Sequence, residues 1–351
     1  TCVGVRSPPP IQCIGPHANT VTSGYSDMPS EVPPPLVFRT EDVDHNAVSQ
    51  GGCVYLGPVE SDGQTPTDTL GPGERRAFML IGQNSNHPTD AEHCRVITEN
   101  PITKVLSSAT IPCPLPKDIR WITGTRLGDK VYVFGGCSSG SIFRDSFIVY
   151  TISTGRWRQM DKSSVWPCGR NACSQFALGG LLHIVGGSSS DRVLQDHWCY
   201  DPTTKEWTQM AATPLAFSSA AVAVAGDTVH FIGGHPNWSL HITFSLRSGW
   251  NLQDSVPFQC SGSAAVAHGL DVHVIGGTYH GKQSHIYSTR TRQWRMGGRL
   301  PVSFQSGRAC LYGPNMVAVS SEQDLILGCP YVEPEQSPAE VAAALERERE
   351  R

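Results

Sequence analysis

The histidines and tyrosines of this chain are the side chains that could most readily form a redox metal site. A radical copper site needs a tyrosine–cysteine crosslink, two histidines and a second tyrosine, and the chain has 13 His and 9 Tyr. However, His183, His230 and His273 each occupy the same position, the second residue of a similar apolar run. A histidine repeated at one structural position is expected to pack or hydrogen-bond inside the fold.

The other catalytic patterns are weaker still. His235 lies on a predicted loop, directly after a glycine pair, and is the better ligand candidate, but it stands alone. The sequence contains no HExxH, Walker or GxGxxG motif and no CxxC pair. We therefore expect no catalytic residue, no cofactor, no metal ion and no enzymatic activity.

Charge offers a second kind of chemistry, the binding of phosphate groups. The formal net charge of −4 excludes a globally basic nucleic-acid binder. Nevertheless, no Asp or Glu occurs between Val272 and Ser321. The cations that could contact a DNA backbone in this stretch are Lys282, Arg290, Arg292, Arg295 and Arg299. The alternative, a solvated turn whose arginines stack on Trp294, stays open.

A second, weaker basic group contains Arg156, Arg158, Lys162 and Arg170, with Asp161 among them.

An internal repeat predicts the elements that carry these residues. Four apolar runs end in a glycine pair, at Gly135–Gly136, Gly186–Gly187, Gly233–Gly234 and Gly276–Gly277. The pairs are 51, 47 and 43 residues apart, close to the period of roughly 50 residues of one four-stranded propeller blade. Degenerate copies, FMLIGQ and LILG, end at Gln83 and Gly328.

A turn followed by tryptophan keeps the same period. It reads TISTGRW, YDPTTKEW and TRTRQW, with Trp157, Trp207 and Trp294, and SLRSGW places Trp250 somewhat earlier. The β-branched runs predict strands buried on both faces, the glycines supply positive φ, and each tryptophan is expected to fill the gap between sheets.

Six apolar-glycine landmarks predict six blades in an all-β fold. No turn-and-tryptophan unit follows LILGCP, so we expect the last sheet to be completed from the N-terminal region, by LVFRT or GGCVYLG. Residues 1–35 are predicted to be an extended or disordered arm, 36–333 the propeller, and 334–351 a short helix that begins with a capping box at Ser337.

Composition agrees with this reading. The 35 Gly and 26 Pro favour short strands and tight turns. The 12 cysteines are scattered and fit buried free thiols in a reducing compartment. Neither a membrane span nor a signal peptide is indicated.

Residues 75–330 resemble kelch repeats. More narrowly, VHFIGGH, SGSAAVAHGLDVHVIGG, LYGPNM with LILGCP, and FMLIGQ are similar to the six-bladed propeller family of the second recombination-activating protein of jawed vertebrates and its transposon-encoded invertebrate relatives. Vertebrate members of that family carry a zinc-binding finger after the propeller, but this sequence shows no Cys/His ladder of that kind, so we do not expect it to read histone tails.

The narrower resemblance implies a nuclear, non-catalytic accessory subunit of a DDE-type recombinase or transposase. Such a subunit would form a heterotetramer with a large catalytic subunit and help it hold terminal inverted repeat DNA. Two alternatives stay open, a substrate adaptor of a ubiquitin ligase or other interaction scaffold, and a sugar-oxidising enzyme.

Overall fold

The part of the chain that the structure describes is built from β-strands and the turns and loops that connect them. The computed structural model describes residues 36–41, 48–59, 75–84, 94–99, 106–116, 118–305, 308–311, 317–320 and 325–330. These contain 26 strands and one short 3-10 turn, Ser139–Ser141. The predicted arm and the predicted C-terminal helix lie outside the described residues.

Six antiparallel four-stranded sheets are present, and we number them as blades in chain order. Blade 1 contains β2 (Val48–Val59), β3 (Arg75–Asn84), β4 (Cys94–Glu99) and β5 (Leu106–Thr110). Blade 2 contains β6 (Thr123–Leu127), β7 (Lys130–Phe134), β10 (Phe147–Thr151) and β11 (Arg156–Gln159), and its loop carries the small hairpin of β8 (Cys137–Ser138) and β9 (Ile142–Phe143). Blade 3 contains β12 (Ser174–Leu178), β13 (Leu181–Val185), β14 (His197–Asp201) and β15 (Glu206–Met210).

The remaining three blades follow the same plan. Blade 4 contains β16 (Ala221–Ala225), β17 (Thr228–Ile232), β18 (His241–Ser245) and β19 (Gly249–Leu252). Blade 5 contains β20 (Ala264–His268), β21 (Asp271–Ile275), β22 (Gln283–Ser288) and β23 (Gln293–Arg299). Blade 6 contains β24 (Arg308–Leu311), β25 (Val317–Ser320), β26 (Leu325–Pro330) and, from the N-terminal side, β1 (Leu36–Glu41).

The first strands of the blades form a closed ring. In order, β2, β6, β12, β16, β20 and β24 each contact the next, and β24 contacts β2. The seam is made by β1, which pairs with β26 from Leu36 opposite Pro330 to Glu41 opposite Leu325. Of the two segments that the sequence offered for this role, LVFRT is therefore the one used, while GGCVYLG lies in β2. Each sheet keeps an outer edge strand, and the radial arrangement leaves these edges short and protected.

The hydrophobic core lies between the blades, because each cluster of buried side chains draws on two neighbouring sheets. Between blades 2 and 3, Phe134 and Phe147 pack against Trp207, with ring centroids 5.6 and 5.1 Å apart. Trp250 and Trp294 likewise contact the histidines His197 and His241 of the preceding blades. Trp157 packs on the cluster shared by blades 1 and 2. The second strands of blades 2–5 are buried over almost their whole length.

The glycine pairs join each blade to the next. All eight glycines have positive φ, between 61° and 104°. The second glycine of each pair donates its N–H to a carbonyl of the following connection, at 2.8 or 2.9 Å; the four acceptors belong to Arg170, Phe217, Cys260 and Phe304. A Cβ on Gly135 would lie 2.4 Å from Arg170 O, in the connection to blade 3, so the backbone approaches too closely for any other residue.

Candidate functional site

One end of the ring holds the loops that follow the glycine pairs, and we call it the glycine-pair face. These loops pair with the connections between blades through the bridges Arg120–Cys137, Asn171–Ser188 and Ser218–His235. The face consists of the loops 135–146, 186–196, 233–240 and 276–283 and the connections 111–122, 160–173, 211–220 and 253–263. Side chains from several blades therefore meet on one surface.

Around the ring axis, the connections are linked by backbone hydrogen bonds. Ala172 N–H donates to Trp121 O, Ser219 N–H to Ala172 O, and Gly262 N–H to Ser219 O, at 2.9 to 3.1 Å. All four residues have positive φ, between 49° and 62°, although three of them are not glycine. Strained backbone of this kind persists only where the surroundings hold it, so this part of the face is rigid.

A buried ion pair fixes the loop of blade 3. The Arg170 guanidinium, fully buried, bonds both carboxylate oxygens of Asp196 at 2.7 and 2.8 Å. Asp196 also accepts from Trp198 Nε1 at 2.7 Å. Burial by itself would raise the pKa of Asp196, but the hydrogen bonds and charge of Arg170 lower it below the usual range. Arg170, expected in the second basic group, is therefore no surface cation, and Lys162 of the same group pairs with Asp145.

Exposed aromatic side chains concentrate on the glycine-pair face. Among the described residues, the large aromatic side chains classed as exposed are Trp121, Trp238 and Tyr279. All three lie on this face, and the rings of Trp238 and Tyr279 contact each other at 5.2 Å. The guanidinium of Arg120 lies 5.3 Å from the centre of the Trp121 ring. Exposed apolar residues of the opposite face include Leu246 and Leu270.

The five cations proposed for DNA do not form one patch. Arg290 and Arg292 lie in the exposed turn between β22 and β23, on the face opposite the glycine pairs. Lys282 and Arg299 lie at the other end of this hairpin, roughly 20 Å away along a seven-residue strand. Arg295, between them, donates to Asp271 at 2.9 Å. The acid-free stretch of sequence thus begins next to the carboxylate that neutralises one of its arginines.

The repeated histidines form pairs inside the blades. His183 Nδ1 lies 2.9 Å from His197 Nε2, and His230 Nδ1 lies 3.1 Å from His241 Nε2. Burial lowers the pKa of His230 to about 4, and burial together with the partner ring lowers those of His197 and His241 to about 3. These neutral pairs belong to the core.

The remaining metal candidates stay isolated. His273 is also buried, and burial lowers its pKa to about 4, whereas His235 is exposed. Within the described ranges, no three His, Cys, Asp or Glu side chains converge on a point where a metal ion could sit.

Residues 136–140, Gly-Cys-Ser-Ser-Gly, have a GxSxG spacing, which was not expected from the sequence. In hydrolases this motif presents a serine on an exposed turn between a strand and a helix. Here Ser138 is buried, has extended backbone, and its Oγ accepts a hydrogen bond from Arg144 Nε at 3.1 Å. It is a structural serine of the β8–β9 hairpin.

The exposed aromatics were also missed. Trp238 and Tyr279 each fall a few residues after a glycine pair, and that shared phase is the signal that could have found them.

Comparison with known proteins gives the same repeat. Residues 82–234 match the model of the KLHDC2/KLHL20/DRC7 Kelch-repeats domain. Six sheets in a closed ring, with a glycine pair after the second strand of blades 2–5, agree with that match. The fold is a kelch β-propeller. In the described part of this propeller, no helix is long and apolar enough to cross a membrane.

The relatives of the kelch propeller include different kinds of protein. N-acetylneuraminate epimerase of Haemophilus influenzae (strain 86-028NP) is 25% identical over 226 residues, which are 59% of this chain and 54% of the epimerase. Kelch-like protein 35 of Mus musculus is 27% identical over 200 residues, 55% of this chain and 31% of that protein. Kelch-like protein 25 of Xenopus tropicalis is 24% identical over 236 residues, 62% and 38%. The chain thus spans about half the length of the epimerase and about a third of each kelch-like protein.

Proposed function

We propose that this kelch propeller is a non-catalytic protein-interaction module that binds its partner on the glycine-pair face. The observation that carries the proposal is the concentration of Trp121, Trp238 and Tyr279 on that face. Exposed tryptophan and tyrosine are costly in water and are the residues that most often dominate binding energy at protein interfaces. The hydrogen-bonded backbone that includes Trp121 lowers the entropic cost of binding at this residue.

The absence of catalysis is part of the proposal. The histidines with strongly lowered pKa are enclosed in sheets, where a substrate does not reach them, so their shifts follow from packing. Since one relative is named as an N-acetylneuraminate epimerase, the direct check is to incubate the protein with N-acetylneuraminate. NMR should show no acceleration of the change in epimer ratio. Acceleration would contradict this part of the proposal.

More narrowly, we propose a nuclear accessory subunit of a DDE-type recombinase or transposase, assembled with the catalytic subunit as a heterotetramer. The support is the sequence resemblance in FMLIGQ, VHFIGGH and the closing sheet. A catalytic subunit held on the glycine-pair face would leave the opposite face, with Arg290 and Arg292, open to a DNA backbone. These two exposed arginines are the cations that this arrangement would place against phosphates.

The test is capture from nuclear extract on the immobilised protein, followed by mass spectrometry. A variant with Trp121→Ala and Leu215→Ala removes two exposed side chains from the glycine-pair face. The matched control, Leu246→Ala with Leu270→Ala, removes two exposed side chains elsewhere. We expect a transposase-like protein to be captured by wild type and by the control, and at least tenfold less by the first variant.

Two other results would redirect the interpretation. Recovery of a cullin in place of a transposase would favour the ubiquitin-ligase adaptor and contradict the narrower proposal. Equal loss of the partner from both variants, or from neither, would contradict the choice of face.

A further inference from the structure

A cleft at the glycine-pair end of blade 5 has the features of a binding site. It has a volume of about 380 Å³. One wall is the loop 279–283, between β21 and β22, and the other is the last part of β23, residues 296–299. The cleft therefore lies at the glycine-pair end of the β22–β23 hairpin, between β23 and the loop that precedes β22.

A β-bulge opens the cleft. Gln283 pairs with Arg299 and His285 pairs with Met296, so β23 has one residue more than β22 over this interval. The extra residue falls at the second glycine pair of the blade, Gly297–Gly298, and Ser284 Oγ bonds to Gly298 O at 2.6 Å. Bulges next to binding sites reorient side chains in this way.

Backbone hydrogen bonds hold the loop wall in place. Gly281 O accepts from Phe304 N–H at 2.8 Å, and Lys282 O accepts from Leu300 N–H at 3.0 Å. Within the loop, Gln283 N–H donates to His280 O at 2.8 Å. The cleft is therefore formed before any ligand binds, which reduces the entropic cost of binding.

The charge of the cleft is positive. Lys282 and Arg299 line it, His280 lies beside them, and no Asp or Glu is among the residues of its walls. Neither Lys282 nor Arg299 has an ion pair within the part of the chain that the structure describes, whereas Arg170 and Arg295 each have a carboxylate partner. Two unneutralised cations on opposite walls favour an anionic group between them.

Apolar side chains flank this positive centre. Tyr279, in the loop wall, is 45% exposed and contacts Trp238 of the neighbouring blade. Met296, on the opposite wall, is 59% exposed. A ligand that places an anionic group in the cleft would therefore set its adjoining groups on an apolar rim.

A nucleotide fits this loop poorly. Residues 276–282 have the Gly-x4-Gly-Lys spacing of a phosphate-binding loop, but Gln283 replaces the Ser or Thr and the chain continues into a strand. It therefore lacks the helix N-terminus that a phosphate-binding loop uses. A DNA backbone also fits poorly, because Arg290 and Arg292, at the other end of the hairpin, do not extend the positive surface into a track.

We propose that the cleft binds an acidic side chain, Asp or Glu, of a protein segment, and that an apolar neighbour of this acid lies on Trp238, Tyr279 and Met296. This inference rests on the proposed interaction function and names the chemistry of the partner. Lys282 and Arg299 bind the carboxylate, and the aromatic rim favours segments with an apolar residue beside the acid.

The experiment uses a phage-displayed library of random 12-residue peptides selected on the full chain. We expect enriched peptides to carry Asp or Glu beside an aliphatic or aromatic residue. A synthetic copy of the most enriched peptide should bind the variant with Lys282→Glu and Arg299→Glu at least tenfold more weakly. The control, Arg290→Glu with Arg292→Glu, makes the same charge change on the same hairpin and should bind like wild type. All four side chains are exposed, so circular dichroism should show that both variants fold.

Three outcomes would overturn the proposal. The first is enrichment without acidic residues, and the second is equal binding by wild type and the cleft variant. The third is tight binding of a fluorescent oligo-dT strand that the cleft variant loses, which would assign the cleft to nucleic acid. Because random peptides need no natural partner, this experiment can fail while capture on the glycine-pair face succeeds, and the reverse.

Discussion

Replacing Arg170 by methionine should destabilise the propeller far more than removing any exposed charge. Methionine keeps most of the volume of the side chain and removes the guanidinium, so the effect measures lost polar contacts more than a cavity. The buried guanidinium bonds Asp196 twice and also Gly186 O and Cys168 O at 3.1 Å. Its loss leaves a mostly buried carboxylate without its cation.

The magnitude follows from where the pair lies. Breaking a buried ion pair by removing one partner costs about 3–5 kcal/mol, because the remaining charge stays desolvated. The pair of Lys162 and Asp145 is the internal comparison, since its side chains are 62% and 41% exposed. Removing Lys162 should cost less than about 1 kcal/mol, because water already screens both charges.

Urea denaturation followed by tryptophan fluorescence measures the difference. We expect the Arg170→Met midpoint to fall well below that of Lys162→Ala with little change in slope. Adding Asp196→Asn removes the unpaired charge while leaving an oxygen for the Trp198 indole N–H, so the double variant should regain part of the loss. If Arg170→Met and Lys162→Ala have equal midpoints, or if Asp196→Asn restores nothing, the reasoning is wrong.

Two further results are expected. Burial holds the folded pKa of His230 at about 4 and that of His197 at about 3, whereas a histidine in the unfolded chain has a pKa of about 6.5. As the pH decreases, the unfolded chain therefore binds protons before the folded chain does. Stability is therefore complete above pH 6.5 and falls as the pH decreases towards 4, and a melting temperature that stays constant from pH 7.5 to 5 would contradict this. Gly234→Ala should lower the urea midpoint more than Gly226→Ala. Both glycines have positive φ, but a Cβ on Gly234 would lie 2.4 Å from a backbone carbonyl oxygen, whereas Gly226 has nothing within 4 Å. We expect about 1–2 kcal/mol for Gly226→Ala from the left-handed backbone alone, and equal midpoints would refute the steric argument.

The sequence by itself determined the fold class. Glycine pairs and turn-tryptophan units recur with one period, because the blades pack against their neighbours in the same way. Each of these marks reflects a local requirement, such as positive φ at Gly136 or a large side chain at Trp207. The number of landmarks equals the number of four-stranded sheets, although LILG lies in the third strand of blade 6, whereas the other five mark second strands. The missing turn-tryptophan unit after LILGCP predicted the N-terminal strand in blade 6. Strand periodicity is a local property, so it can be read without knowing which blades are neighbours.

Only the tertiary structure decided which side chains share a surface. Lys282 and Arg299 are 17 residues apart in the sequence and line one cleft, while Arg290, between them in the sequence, lies at the opposite end of the hairpin. The sequence could not show this separation, because in an antiparallel hairpin the first and last residues lie side by side and the turn lies at the opposite end. The same holds for Arg170, whose partner Asp196 lies 26 residues later in the sequence, after β12 and β13. The net charge of a segment can be counted from its sequence. The charge of a surface depends on which charged residues the fold brings together, pairs or separates.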